Sequence, residues 1–139
     1  MGSHPNSSEH ILITGAGGFI GQELVSALLS SKPSIHLTLA DVFEPPSPNT
    51  SRTTAVKADL TTSAAVDSLL SSQQWKACYL LHGIMSGGAE ANLDLGLAVN
   101  IDPPSHTRLS TKAPTWCRRG LPFFTKSLRP TRVAGTAVR

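Results

Sequence analysis

Apolar positions come in short runs set apart by glycine, proline and polar breaks. Residues 11–14, Ile-Leu-Ile-Thr, are closed by glycines, the pattern of a strand buried on both faces of a parallel sheet. Leu24, Val25, Leu28 and Leu29 then recur at helical spacing within residues 21–31, and Lys32-Pro33 ends that helix. Residues 35–40 alternate toward a second strand ending at Asp41, and the three prolines within 44–54 mark a loop. A short third strand is expected over 55–58. Thr62 or Ser63 is placed to cap a helix whose apolar side is Ala64, Ala65, Val66, Leu69 and Leu70. Residues 77–81 read as a fourth strand. Residues 89–101 read as a helix with Leu93, Leu97 and Ile101 on one face.

The order β-α-β-β-α-β-α implies an α/β fold with a parallel sheet covered on both sides, because every parallel crossover must travel over a face. The 139 residues, 40% of them hydrophobic and 15% charged, suit a single domain. No apolar stretch approaches the roughly 18–20 residues of a membrane span, so no membrane partner is expected. Residues 1–10 lack the features of a secretory signal and are expected to be flexible. Cys78 and Cys117 are too few for a disulfide framework, and with the five scattered histidines they offer no metal spacing. A reducing, cytoplasmic location follows as the expectation.

Charge divides the chain near Asp102. Residues 1–102 hold nine acids against Lys32, Arg52, Lys57 and Lys76, a net −5. Residues 103–139 hold no acid against Lys112, Lys126 and six arginines, a net +8, and five of the ten prolines. The organised domain is therefore assigned to 11–102 and an irregular basic tail to 103–139.

Between the first strand and first helix stands Thr14-Gly15-Ala16-Gly17-Gly18-Phe19-Ile20-Gly21, with glycine at every third position. Gly15 permits a tight turn, Gly18 lets backbone approach a diphosphate, and Gly21 lets the helix sit close on the sheet. Amides at the helix start would face the phosphates. Asp41, 20 residues past Gly21 at the end of a strand, is placed to accept from ribose hydroxyls and to repel a 2′-phosphate. The pattern points to NAD rather than NADP.

The spacing T-G-x-x-G-x-x-G resembles the extended short-chain dehydrogenase/reductases, the NAD-dependent epimerase/dehydratase family, and the resemblance covers residues 11–102. It implies an incomplete Rossmann-like doubly wound sheet, with Gly15, Gly18, Phe19, Ile20, Gly21 and Asp41 at the cofactor. By the same resemblance Asp59 and Leu60 are an acid and apolar pair against the adenine. His82 and Gly83 stand where the fourth strand meets the cofactor, in place of the family's small residues, and Val99-Asn100 matches its structural asparagine. Ser86, also assigned to the cofactor side, opens Ser86–Gly96, a stretch that is similar to the branch containing D-erythronate dehydrogenase-like oxidoreductases.

Catalysis in this family rests on a Tyr-x-x-x-Lys pair. The one tyrosine here, Tyr79, has Gly83 four residues on, and no lysine follows before Lys112. No catalytic residue is assigned. The expected activity is that of an NAD-binding fragment of an oxidoreductase or epimerase acting on sugar-nucleotide or sugar-acid substrates, incompetent as it stands. The abrupt change at residue 103 favours a frame change or retained intron, giving a truncated gene model or a splice form. The alternatives are a divergent continuation of the fold, or a non-catalytic module whose basic arm binds nucleic acid, with Trp116, Phe123 and Phe124 stacking on bases. Four strands without further neighbours would leave an apolar edge open to self-association.

Overall fold

A computed structural model describes residues 9–102. Of the N-terminal segment expected to be flexible over 1–10, residues 1–8 lie outside the described residues, as does the basic tail with every reading offered for it, whereas Glu9 and His10 belong to the first strand.

Four strands and four helices follow one another: β1 (Glu9–Thr14), α1 (Phe19–Ser31), β2 (Ile35–Asp41), β3 (Thr53–Lys57), α2 (Ser63–Ser71), β4 (Ala77–Leu80), α3 (Ser86–Ala91) and α4 (Leu93–Asn100). The sheet is wholly parallel in the order β3-β2-β1-β4. Alternation along β1 divides its side chains between two cores. Ile11 and Ile13 pack with Leu37, Leu39, Val25 and Leu28 under α1. Leu12 packs on the opposite face with Val66, Leu69, Leu70 and Trp75, the α2 side. One helix on each face is the doubly wound arrangement, and it explains why β1 reads as a short continuous apolar run. Trp75 is buried and its indole N–H donates to the Leu70 carbonyl at 2.9 Å, as befits a core aromatic.

The elements start and stop where local hydrogen bonding decides. β1 begins two residues before the apolar run, because Glu9 and His10 pair with Ile35 and His36 and Glu9 meets Lys76 at 3.2 Å. β3 begins at Thr53, two residues early, and the Thr53 hydroxyl ties back to the Asn49 carbonyl of the preceding loop. Arg52 closes α1 from that same loop, its guanidinium donating to the Leu29 and Lys32 carbonyls at the helix's negative end. Thr62 caps α2, its hydroxyl accepting from Ala65 N–H at 3.3 Å. The single helix expected over 89–101 is instead two. Asn92 adopts extended backbone, φ −144° and ψ 93°, and its side chain accepts from Leu95 N–H at 3.0 Å, so it ends α3 and caps α4. A short amide competes with the helix for its own backbone, which is why asparagine is weak inside helices and strong at their starts. The stripe Leu93, Leu97, Ile101 is exposed, at 68%, 42% and 53%.

Candidate functional site

The strand order reverses at β1: β2 and β3 lie on one side of it and β4 on the other. Loops leaving β1 and β4 therefore diverge in opposite directions and open a crevice at the carboxyl ends of the strands, the usual ligand position in open α/β sheets. A cavity of about 640 Å³ occupies it, lined by the glycine turn, Asp41 and the loop to Pro46, Ala58–Thr61, Leu81–Ile84, and Leu95 and Val99 of α4. That volume is in the range of small-molecule sites, roughly 300–1,000 Å³.

The turn after β1 is built by steric exclusion. Gly15 has φ +67°, and a Cβ there would lie 2.5 Å from both Leu81 C and His82 N, so the turn is pressed against the backbone leaving β4. A Cβ on Gly21 would stand 2.5 Å from the Gly15 carbonyl oxygen and 2.8 Å from Ala16 Cα, which forces α1 close onto the turn. Gly18 differs: its Cβ would meet only the Gly15 oxygen, at 3.4 Å, and the residue faces the cavity. It is also the cap of α1 and supplies no side-chain acceptor, which leaves the positive end of the helix dipole facing the cavity.

Asp41 closes β2 directly opposite. One carboxylate oxygen accepts from Gly17 N–H at 2.9 Å and the other from Val42 N–H at 2.7 Å, which fixes the group on the cavity wall. Asp59 accepts from Thr61 N–H at 3.0 Å and from the Thr61 hydroxyl at 2.8 Å, and these bonds, the backbone one foremost, hold its carboxyl below the usual range. Leu60 beside it is buried and belongs to the α2-side core.

His82 is the least expected member. Its Nδ1 lies 2.6 Å from Thr14 Oγ1, and the Thr14 hydroxyl stands 3.4 Å from the Tyr79 carbonyl oxygen. Its Nε2 is buried and has no partner among the described residues. Burial pulls the imidazole below its usual basicity, and the Asp41 charge opposes that pull. In sequence His82 has no carboxylate neighbour; the fold gives it Asp41. Gly83 follows, and next to it Asn100 clamps Ile84 twice, accepting from its N–H at 2.9 Å and donating to its carbonyl at 3.1 Å.

Of the residues singled out from sequence, Gly15, Gly18, Asp41, Asp59, Leu60, His82 and Gly83 line one cavity. Gly21 is buried behind the turn, and Phe19 and Ile20, 79% and 62% exposed on the first turn of α1, are not among the lining residues. Ser86 opens α3. Gly17, Thr14, Leu95 and Val99 were not assigned to the site from sequence. Gly17 and Thr14 stood within the glycine motif and Val99 beside the matched asparagine, whereas Leu95 carried no signal of its own.

Amide donors at an open helix start, a fixed carboxylate opposite, and an apolar slot between them fit a dinucleotide's diphosphate, ribose and base. Residues 11–102 match the NAD dependent epimerase/dehydratase family. D-erythronate dehydrogenase of Cupriavidus necator is 34% identical in an alignment of 102 residues that covers 67% of this chain and 31% of that protein. Among solved structures, a mutant of uronate dehydrogenase from Agrobacterium tumefaciens complexed with NAD superposes with TM-score 0.57 at 26% identity, over 72% of this chain and 35% of that one. L-threonine 3-dehydrogenase from Trypanosoma brucei does so with TM-score 0.60 at 27% identity, over 70% and 31%. The chain thus spans about a third of the length of the relatives it matches. With the turn, the carboxylate and the sheet order all in place, the chain belongs to the NAD-dependent epimerase/dehydratase family.

Proposed function

We propose that residues 11–102 bind NAD as the nucleotide half of a dehydrogenase of this family, and that the chain as given does so without turnover. The observation that carries the reading is that the glycine turn and Asp41 face one another across a single cavity, joined by the Gly17 N–H to carboxylate bond. In this reading the amino end of α1 at Gly18 receives the diphosphate, and Asp41 accepts from the ribose hydroxyls and repels a 2′-phosphate. Asp59 and Leu60 bound the base side, and the His82–Gly83 backbone forms the opposite wall. When bound, NAD supplies a hydride acceptor.

A dehydrogenase also needs a group that moves a proton at the substrate. The one tyrosine, Tyr79, is fixed in β4 with Gly83 four residues on, so it has no lysine partner at helical spacing. The sugar-acid names of D-erythronate dehydrogenase and uronate dehydrogenase support a sugar-acid substrate for the whole protein.

Calorimetry on the full 139-residue chain tests the reading. NAD is expected to bind with a dissociation constant on the order of millimolar, about −4 kcal/mol, and more tightly than NADP. Asp41→Asn keeps an acceptor for Gly17 N–H but removes the charge, and is expected to erase the preference. A wild-type preference for NADP overturns the role of Asp41, and reduction of NAD in the presence of sugar acids overturns the absence of turnover.

A further inference from the structure

The nucleotide reading leaves two ionisable side chains of the cavity wall unused, Glu44 and His82, and of these only His82 can carry positive charge. Its surroundings are specific. Nδ1 is taken up by Thr14 Oγ1 at 2.6 Å, Nε2 is buried without a partner among the described residues, and the residue is one of those lining the cavity beside the glycine turn and Asp41. The charged groups sharing that cavity are Asp41 from the end of β2, Glu44 from the loop after it and Asp59 from the loop after β3; α4 adds the apolar Leu95 and Val99, and β1 meets the ring through the neutral Thr14. All three ionised neighbours are carboxylates.

A second ring proton, on Nε2, would be buried without an acceptor among the described residues, and burial disfavours the cation. A diphosphate seated at the helix start adds negative charge to a partly desolvated cavity, where charges are screened far less than in water. We propose that His82 is the proton-linked counter-charge of the nucleotide site, taking up a proton onto its ring as the dinucleotide's diphosphate binds. Thr14 then acts as a positioning residue, holding Nδ1 so that the proton is gained at a fixed place. The inference rests on the NAD reading above, and it adds a linkage that reading does not require: affinity rises as pH falls.

The test is NAD binding to the full chain between pH 8 and pH 5.5, by calorimetry in buffers of differing ionisation heat, which counts protons taken up. NAD's diphosphate does not titrate there. Wild type is expected to gain about tenfold in affinity across the range, the effect of a one-unit rise in the ring's pKa, with net proton uptake near neutrality. His82→Gln and His82→Ala are each expected to bind NAD without the pH slope or the uptake, whereas His36→Gln, at the far end of the sheet, retains both. In wild type, the His82 ring resonances should titrate at higher pH with NAD than without. NAD binding with a flat pH profile, or an unchanged slope in both His82 variants, overturns the proposal and leaves the NAD reading intact. No NAD binding at any pH overturns the NAD reading and the proposal with it.

Discussion

The two sides of β1 are built to different standards. Toward β2 the strands run six and seven residues, Leu37 and Leu39 are fully buried, and both faces are covered. Toward β4 the strand is four residues long, none of them fully buried, and α3 and α4 beyond it bury little except Gly96. The same topology rule governs both sides, so the difference does not lie in the fold. It lies in neighbours. A parallel strand becomes a core strand only when another strand and a helix close over it, and among the described residues β4 has β1 on one side only. The half that carries the glycine turn and Asp41 is rigid by packing; the half that carries His82 is held by discrete hydrogen bonds.

Truncating a buried side chain on each side gives the widest contrast. Ile13→Ala, fully buried in β1, is expected to cost about 3 kcal/mol or more in urea denaturation, whereas Leu97→Ala on exposed α4 should stay within about 0.5 kcal/mol. Equal costs would show that the α4 stripe is covered in solution. Glycine substitutions sharpen the same point. Gly21→Ala forces a methyl against backbone at 2.5 Å and is expected to destabilise by about 2 kcal/mol, while Gly88→Ala in α3 meets nothing within 4 Å and should stabilise by up to about 1 kcal/mol. Thermal melts of the two variants should move in opposite directions.

Caps give a smaller contrast. Thr62→Ala is expected to cost about 1 kcal/mol of global stability, because α2 packs on the core; Asn92→Ala should lose a comparable local amount, read as faster amide exchange in α4 without a matching fall in the melt. The smallest effect is one of pH. Burial, aided by neighbouring His10, lowers the His36 pKa, so the folded state favours the neutral ring. Its contribution is present above about pH 6.5 and lost as pH falls through the folded value, so melts should decline slightly between pH 7 and 5.5, less in His36→Gln.

The better-packed half is also the half that was legible in the sequence. A continuous apolar run marks β1, alternation marks β2, and a helical repeat marks α1, because burial demands such patterns. Gly15, Gly18 and Asp41 announced their cavity through spacing alone. The other half was legible only in outline. A single helix was read across Asn92 because periodicity does not register a side chain that bonds its own backbone. Arg52 sat in an expected loop with no sign that it would close α1, and the Thr14–His82 bond joins residues 68 apart that only the strand order makes neighbours. Contacts between loops of different strands leave no trace in local pattern.

The interlock between Gly15 and the Leu81–His82 backbone has a consequence for how this chain tolerates change. What fills the space beside Gly15 is main chain, which every amino acid shares, and not the imidazole that follows it. Position 15 is therefore closed to every side chain, whatever stands at 82, while position 82 is open to variation as far as the turn is concerned. Drift can trial new chemistry on the wall of the cavity without disturbing the turn that forms its floor. A histidine at such a place is inexpensive to acquire and to lose, and the fold keeps no record of its having been there.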